Sequence, residues 1–268
     1  MNTRHAIRFI VLSALVSCYA PLAHAQGTQT APFVPQVGQA GKDVVWVPTP
    51  QALVDTMLDM AKVTAQDYLI DLGSGDGRTV ITAARRGLRA HGIEYEQSMV
   101  DLAKQNATAA GVNQRATFVK ADLFESDFSS AQVITMFLLP AINMRLRPTI
   151  LNMKPGTRVV SNSFTMENWQ PDESATVTNE CASYCTAHLW IVPAKVAGAW
   201  QLPQGALTLT QEFQMVSGTL GTVAIAEGRL RGDEIAFSAG NSKYTGRVDG
   251  NTMRGTIAGG GAWTATRR

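Results

Sequence analysis

The chain has 268 residues, of which 45% are hydrophobic and 16% are charged, with 23 basic residues against 21 acidic ones. This length allows one large domain or two modest ones, and the apolar fraction is ordinary for a globular fold. The near balance of charge, without any Lys/Arg run, gives little basis for counterion-release binding and argues against a nucleic-acid partner.

Residues 1–25 have the pattern of a bacterial secretory signal. Arg4 and Arg8 flank a short apolar segment that ends near Ala-His-Ala at 23–25, and this segment is too short to span a membrane. Ordinary cleavage after Ala25 and lipoprotein-type cleavage before Cys18, which would become a lipid anchor, both fit the sequence. Either route predicts export, to the periplasm or as a lipoprotein. Nothing later in the sequence resembles a transmembrane helix.

Residues 26–44 are rich in Gly, Gln, Thr and Pro without sustained periodicity, which predicts a linker. Residues 45–194 then begin with an amphipathic helix over about 51–63 behind Pro50 and continue with alternating apolar and amphipathic segments. This alternation predicts an α/β domain with a mostly parallel sheet and one late antiparallel hairpin. The predicted strands are 67–72, 89–95, 115–121, 132–138, 158–164, 175–180 and 187–193, and the predicted helices between them are 78–87, 97–110 and 141–153.

Residues 195–268 have frequent glycines and no helical periodicity. The segment Gly228–Ile235 recurs eighteen residues later as Gly246–Met253, with Gly-Asp and Gly-Asn at matching places. Such dipeptides between alternating strands are hairpin turns. The region is therefore predicted to be a C-terminal antiparallel β meander or small barrel.

A glycine-rich loop follows the apolar run Tyr68–Leu72: Asp71 precedes Gly73, Gly75 and Gly77 at alternate positions. A strand that enters a glycine turn and then a helix predicts a nucleoside-cofactor site. The dinucleotide fingerprint places its third glycine one residue later, and that position is Arg78 here. The form D-x-G-x-G-x-G resembles motif I of class I S-adenosylmethionine-dependent methyltransferases, which implies S-adenosyl-L-methionine as cofactor.

Two carboxylates end the strands that follow this loop. Glu94 ends the second strand and is predicted to accept hydrogen bonds from the ribose hydroxyls. Asp122 ends the third strand and is predicted to accept from the adenine amino group, with Leu123 or Phe124 packed on the ring. Thr49 either bonds the cofactor carboxylate or belongs to a plain turn before the first helix.

Five segments together resemble one family more narrowly, the lysine methyltransferases that include the mitochondrial enzymes acting on the ATP synthase c-ring protein and on the adenine nucleotide translocase, with bacterial members. The resemblance covers residues 45–194 and implies a seven-stranded, Rossmann-like class I methyltransferase sheet and a protein lysine as acceptor. This chain differs from the mitochondrial members in its secretory signal and its β-rich tail. The matching segments are Val47–Pro50, Asp71–Arg78, Gly92–Glu96, Phe137–Pro140 and Lys154–Ser161.

The acceptor channel is predicted by analogy with this family. Methyl transfer is an in-line displacement, so the enzyme mainly aligns donor and acceptor and excludes water. No catalytic base is predicted, and His91 and His188 are interpreted as structural strand residues. A small-molecule or lipid acceptor, and a non-catalytic exported binding protein that retains the loop, remain as alternatives. The residues predicted to line the channel are Phe137, Leu138, Leu139, Pro140, Ser163 and Phe164.

Cys181 and Cys185 are the only cysteines after Ala25. In an oxidising compartment they are predicted to form a disulfide. With His188 they also give a C-x3-C-x2-H pattern, but three ligands on a short loop without a fourth do not make a good zinc site. No metal is predicted.

Overall fold

The computed structural model describes residues 1–2 and 33–268. The predicted signal segment with Cys18, and the first part of the predicted linker, lie outside the described residues. Residues 33–268 form one compact unit. Within this described part, none of the helices is both long enough and apolar enough to cross a bilayer.

The first part of this unit is a seven-stranded sheet with helices, in the strand order β3-β2-β1-β4-β5-β7-β6. Strands β1 to β5 pair in parallel, and β7 runs antiparallel to both β5 and β6. This confirms the predicted methyltransferase sheet. Its elements are α1 Gln51–Met60, β1 Tyr68–Leu72, α2 Arg78–Arg85, β2 Arg89–Glu94, α3 Gln97–Ala109, β3 Ala116–Lys120, β4 Val133–Met136, α4 Pro140–Ile150, β5 Arg158–Asn162, β6 Glu173–Thr176 and β7 Thr186–Ile191.

Strands β4, β5, β6 and β7 each differ from the predicted bounds by at least two residues at one end, and β5 and β6 differ for clear physical reasons. Strand β5 ends at Asn162 and not at Phe164 because Ser163 has φ 58°, a left-handed conformation that ends an extended strand. Strand β6 covers Glu173–Thr176 and not 175–180, because the pairing with β7 stops at Thr176 and the chain then enters the loop that contains both cysteines.

The sheet separates two apolar cores. Successive residues of a strand point to opposite faces, so Leu69 of β1 packs with Leu53 and Val80 on one face, whereas the neighbouring Ile70 packs with Trp169 on the other. Every residue of β1 from Leu69 onward is therefore buried. The two layers hold the carboxyl ends of the central strands in place at one edge.

The second part is a closed antiparallel barrel of eight strands. The repeat predicted its turns: Gly232–Asp233 joins β11 to β12, and Gly250–Asn251 joins β13 to β14. Barrel closure comes from pairing of the last strand with the first. The strands are β8 Gly198–Leu202, β9 Gly205–Glu212, β10 Met215–Leu220, β11 Val223–Arg231, β12 Glu234–Ala239, β13 Ser242–Asp249, β14 Thr252–Ile257 and β15 Ala262–Arg267.

Aromatic side chains fill the inside of the barrel. The rings of Phe237 and Tyr244 stack with centroids 4.7 Å apart, and Trp263 meets both edge-on. Trp200 is fully buried, and its Nε1 donates to the Val196 carbonyl at 2.8 Å. The interior is thus a packed core and not a ligand chamber.

The barrel docks at the amino ends of the parallel strands, away from the glycine loop. The backbone of Gly232 packs on Gly156, which lies just before β5; a Cβ on Gly232 would come within 2.9 Å of the Gly156 Cα. Ala194 N–H donates to the Gly232 carbonyl at 2.8 Å. Arg229 also pairs with the buried carboxylate of Asp172 at 2.7 Å. The carboxyl ends of the strands therefore remain free of the barrel.

Part of the predicted linker is structured. Gly38 N–H donates to the Trp46 carbonyl at 2.8 Å, and Trp46 N–H donates to the Gln39 carbonyl at 2.9 Å. Ala40 and Val45 form an antiparallel bridge between them. Residues 38–44 of the predicted linker are therefore part of a hairpin with Val45 and Trp46, which the sequence did not indicate because a hydrogen-bonded hairpin needs no apolar periodicity. Residues 38–46 are called the N-terminal hairpin below.

Candidate functional site

The glycine loop turns its backbone toward β2. Gly73, Gly75 and Gly77 all have positive φ, at 77°, 53° and 83°, which glycine adopts without steric cost. The amides of Gly73 and Ser74 donate to the Ile93 carbonyl at 2.9 and 3.1 Å, and Gly75 N–H donates to the Glu94 carboxylate at 2.9 Å. These amides already have partners within the protein. The loop is thus shaped for a nucleoside and does not form an open phosphate nest.

The three glycines have different roles. A Cβ on Gly75 would lie 2.7 Å from Trp46 Nε1 of the N-terminal hairpin, and one on Gly73 would lie 3.1 Å from Leu138. Gly77 does not line the cavity; a Cβ there would lie 2.7 Å from the Phe118 ring. Gly73 and Gly75 therefore leave room next to the cavity, whereas Gly77 lets the loop pack on β3.

A cavity of about 490 Å³ opens at the carboxyl ends of β1, β2, β3 and β4. Ligands of open α/β sheets bind at this edge, where the strand order reverses, and the volume is typical of small-molecule sites. Seven of the eight predicted cofactor residues line it: Thr49, Asp71, Gly73, Gly75, Glu94, Asp122 and Leu123.

Glu94 is held in place by backbone donors. One of its carboxylate oxygens accepts from Gly75 N–H, and the other accepts from the amides of Tyr95 and Glu96 at 2.8 and 3.0 Å. A carboxylate has about four acceptor positions, so capacity remains for a hydroxyl group. This fixed orientation at the end of β2 suits a ribose.

Asp122 faces the cavity from the end of β3. One oxygen accepts from Phe124 N–H at 2.9 Å, and the other pairs with Lys42 Nζ of the N-terminal hairpin at 2.5 Å. The hydrogen bond from Lys42 lowers the pKa of Asp122, which keeps the carboxylate an acceptor. Leu123 lines the cavity, whereas Phe124 is covered by the Arg145 guanidinium, 3.5 Å from its ring centroid.

Asp71 lies at the base of the cavity and is only 6% exposed. It accepts a hydrogen bond from Thr135 Oγ1 at 2.7 Å. Burial raises the pKa of Asp71 to about 7, because the charged form loses its hydration. A cationic group bound nearby would favour the ionised form of this carboxyl.

The acceptor side of the cavity has four of the six predicted residues: Phe137, Leu138, Leu139 and Phe164. Pro140 and Ser163 do not line it. Pro140 is the first residue of α4, and the Ser163 hydroxyl donates to Asn162 Oδ1 at 2.8 Å.

The two histidines that the sequence assigns to strands lie outside the cavity lining. His91 Nδ1 bonds the Thr117 hydroxyl and His188 Nδ1 bonds the Ser174 hydroxyl, each at 2.8 Å. Burial lowers the pKa of both imidazoles. Both are therefore hydrogen-bonded strand residues outside the cavity, as the sequence predicts.

Several lining residues were not predicted from the sequence. Lys42 and Trp46 come from the N-terminal hairpin, Tyr95 follows Glu94, and Tyr184 comes from the loop between β6 and β7. The sequence feature from which Tyr184 could have been predicted is its position directly before Cys185. Cys181 and Cys185 are joined by a disulfide in the structure, so neither is free to bind a metal.

Comparison with known proteins identifies the family. The model of the ANTKMT methyltransferase domain matches residues 71–173. A protein-lysine N-methyltransferase from Saccharolobus islandicus is 41% identical over 152 residues, which are 56% of this chain and 94% of that enzyme. The chain belongs to this methyltransferase family. An adenine nucleotide translocase lysine N-methyltransferase of Mus musculus is 36% identical to this chain, over 38% of this chain and 46% of the mouse enzyme.

A solved structure extends the comparison to the cofactor. The RNA methyltransferase from Salinibacter ruber in complex with S-adenosyl-L-homocysteine shares 45% identity, with a TM-score of 0.53 over 56% of this chain and 96% of that one. The methyltransferase uses S-adenosylmethionine, and its cavity fits this group. Gly73 and Gly75 leave room for the cofactor in the cavity lining. The carboxylates of Glu94 and Asp122 are held in fixed orientations at the end where its nucleoside would bind.

Proposed function

We propose that this methyltransferase methylates the side-chain amine of a protein lysine outside the cytoplasm. The observation that carries the proposal is the charge of the cavity lining, which has six acidic residues against two basic ones and stays net negative even when Asp71 is protonated. A cationic acceptor is attracted by such a lining, whereas a phosphate backbone is repelled. The acidic residues are Asp43, Asp71, Asp76, Glu94, Glu96 and Asp122, and the basic ones are Lys42 and Arg78.

The names of the relatives support the same acceptor. The archaeal relative and the mouse relative are both named lysine N-methyltransferases, whereas the Salinibacter protein is described as an RNA methyltransferase. The balanced charge of this chain argues against RNA: without residues 1–25, which contain Arg4 and Arg8, 23 minus 2 leaves 21 basic residues against 21 acidic ones.

The reaction requires the protein to bind and orient the cofactor and the acceptor and to exclude water. The bound cofactor supplies the methyl group on a sulfonium centre. Glu94 and Asp122 would hold its nucleoside end, and the apolar residues Leu138 and Leu139 line the same cavity. A lysine amine must lose a proton before it attacks, and an apolar wall lowers the pKa of an amine by removing water. Alignment then supplies most of the catalytic effect.

A labelled-methyl assay tests the acceptor. The protein is incubated with methyl-labelled S-adenosylmethionine and, in separate reactions, with bacterial envelope proteins, total RNA and extracted lipids. We expect label in the protein fraction only, recovered after acid hydrolysis as methylated lysine. Glu94→Ala serves as the cofactor-binding control, since it should lower labelling when S-adenosylmethionine is below saturation. Label in RNA or lipid, or in no fraction despite cofactor binding, would contradict the proposal.

Export is the second part of the proposal. The secretory pattern of residues 1–25 supports it, and so does the Cys181–Cys185 disulfide, because such bonds persist in oxidising compartments. Cell fractionation tests the location, with the protein expected in the periplasmic or membrane fraction. Cys18→Ser separates the two routes, because it should release a lipoprotein from the membrane but leave an ordinary periplasmic protein unchanged. Recovery in the cytoplasm would refute export.

A further inference from the structure

Three aromatic rings form a continuous wall in the cavity. Phe137 follows β4, Phe164 follows β5, and Tyr184 precedes β7; all three line the cavity. The ring centroids of Phe137 and Phe164 are 6.0 Å apart, those of Phe137 and Tyr184 are 5.2 Å apart, and those of Phe164 and Tyr184 are 5.9 Å apart. These three residues are called the aromatic wall below.

The spacing of the rings decides how a ligand can use the wall. Rings with centroids 5 to 6 Å apart touch one another, so an ion cannot sit between them. An aliphatic chain can instead pass across the surface of the wall, with its ammonium group attracted to a ring face within about 6 Å of the centroid. Tyr184 is 43% exposed, so its ring is accessible at the solvent side of the wall.

The loop that carries Tyr184 is tied down at several points. The disulfide closes the loop from Cys181 to Cys185. Val177 N–H donates to the Cys185 carbonyl at 2.9 Å, and Ser163 N–H donates to the Thr186 carbonyl at 2.7 Å. The second of these bonds joins the loop to the segment that carries Phe164.

The backbone of this loop is also conformationally demanding. Tyr184 has φ 57° and Glu180 has φ 55°, and both lie in the left-handed region that non-glycine residues rarely adopt. Such residues persist where the surrounding structure determines their conformation, often at ligand sites. A covalent closure next to Tyr184 is one such constraint.

We propose that Tyr184 is a specificity-determining residue that selects an aliphatic ammonium side chain, and that the Cys181–Cys185 disulfide is its positioning element. This deepens the proposed lysine acceptor and rests on it. The family model stops at residue 173, so this contribution lies beyond the matched region. Reduction of the disulfide is then expected to weaken acceptor binding without changing cofactor binding.

Calorimetry on the full chain saturated with S-adenosylhomocysteine tests the selection. The probes are Nα-acetyl-Nε-trimethyllysine amide and its uncharged tert-butyl isostere, and the cation should bind more tightly. Tyr184→Phe keeps the aromatic face and should retain this preference. Tyr184→Leu should weaken binding of the cation by roughly 3- to 30-fold, with little effect on the isostere, because the ring quadrupole is lost. Unfolding temperature and S-adenosylhomocysteine affinity serve as controls for folding.

The disulfide is tested in the same assay. Dithiothreitol, or the double change Cys181→Ser and Cys185→Ser, should weaken binding of the cation, while S-adenosylhomocysteine affinity stays constant. The double variant should no longer respond to dithiothreitol. In methyl transfer, both treatments should raise KM for the acceptor more than they lower kcat.

Four outcomes would overturn the inference: no binding of the cation by the wild-type chain, equal binding of cation and isostere, unchanged cation binding in Tyr184→Leu, or unchanged cation binding after loss of the disulfide. The proposed function fails separately. Selective cation binding without any lysine methylation would refute the lysine acceptor but not the cation selectivity of Tyr184. Lysine methylation with an unchanged KM in Tyr184→Leu would support the lysine acceptor and refute the role of Tyr184.

Discussion

The sheet and the barrel have similar numbers of strands, seven and eight, but they use them in opposite ways. The open sheet leaves a cavity of about 490 Å³ at one edge. The barrel closes on itself and fills its interior with residues such as Trp200, Tyr244 and Trp263. It also docks at the opposite edge, through Gly232. Chemistry therefore belongs to the open sheet, and the barrel contributes an outer surface and a rigid attachment.

The largest expected effect is in the barrel core. Trp200→Ala should destabilise the barrel by about 3 to 5 kcal/mol, since it removes a fully buried indole. Denaturant unfolding of the whole protein measures the loss, and calorimetry should show unchanged affinity for S-adenosylhomocysteine. Val223→Ala is the matched control, because Val223 is exposed on the same barrel. Weaker cofactor binding in folded Trp200→Ala would break the comparison.

The base of the cavity should make folding stability depend on pH. Burial raises the pKa of Asp71 from its ordinary 3.8 to about 7, so the stabilising contribution is fully present below about pH 4 and is lost as pH rises through about 7. The change amounts to up to about 4 kcal/mol. Asp71→Asn should remove this part of the pH dependence, measured as the difference between its unfolding free energy and that of the wild type at several pH values.

The difference in unfolding free energy between wild type and Asp71→Asn isolates the pH dependence that Asp71 contributes from that of groups with the opposite pH dependence. Burial acts to raise the pKa of Asp67, for example, but the hydrogen bonds from Arg158 and Thr64 outweigh it and lower that pKa. This contribution cancels in the comparison. A flat difference between pH 4 and 7 would mean that Asp71 stays hydrated and that the cavity base is wetter than the structure indicates.

A change of Glu94 should have a smaller effect, on the affinity for the cofactor. Glu94→Ala removes the acceptor for ribose and should weaken S-adenosylmethionine binding by about 1 to 3 kcal/mol. Calorimetry measures the loss, and Glu94→Gln shows whether one acceptor oxygen is enough. Glu227→Ala, on the barrel surface, should bind like wild type. Unchanged affinity in Glu94→Ala would refute the ribose assignment.

The smallest effect is expected at the junction of the two parts. Arg229→Ala removes a partner of the buried Asp172 carboxylate, but Arg229 itself is 46% exposed, so solvent limits the loss to about 1 kcal/mol. Ile191 N–H still donates to Asp172. Limited proteolysis should show a more readily cleaved junction, with unchanged methyl transfer. A fall in transfer rate would show that the barrel acts on the site after all.

Local patterns predicted most of the sheet and its cofactor side. Asp71, Glu94 and Asp122 could be located because each ends an apolar strand, and parallel strands bring their carboxyl ends together. The hairpin turns of the barrel could be predicted from a repeat in adjacent sequence. These features depend on contacts between residues close in sequence or on a regular strand order.

The missed features depend on distant contacts. Lys42 reaches Asp122 across eighty positions, and Tyr184 meets Phe137 through a loop with no periodic pattern. Closure of the barrel joins Trp200 to Arg267 in the first and last strands. No local property of these residues indicates their partners, so only the folded chain reveals them.

The N-terminal hairpin has a practical consequence for how the protein is cut for experiments. A fragment that starts at residue 45, where the α/β pattern begins, keeps the strands of the sheet but loses Gln39 and Lys42 from the cavity lining. One that starts at residue 71, where the family match begins, also loses Trp46 and helix α1. Expression fragments should therefore start before residue 38, where the N-terminal hairpin begins.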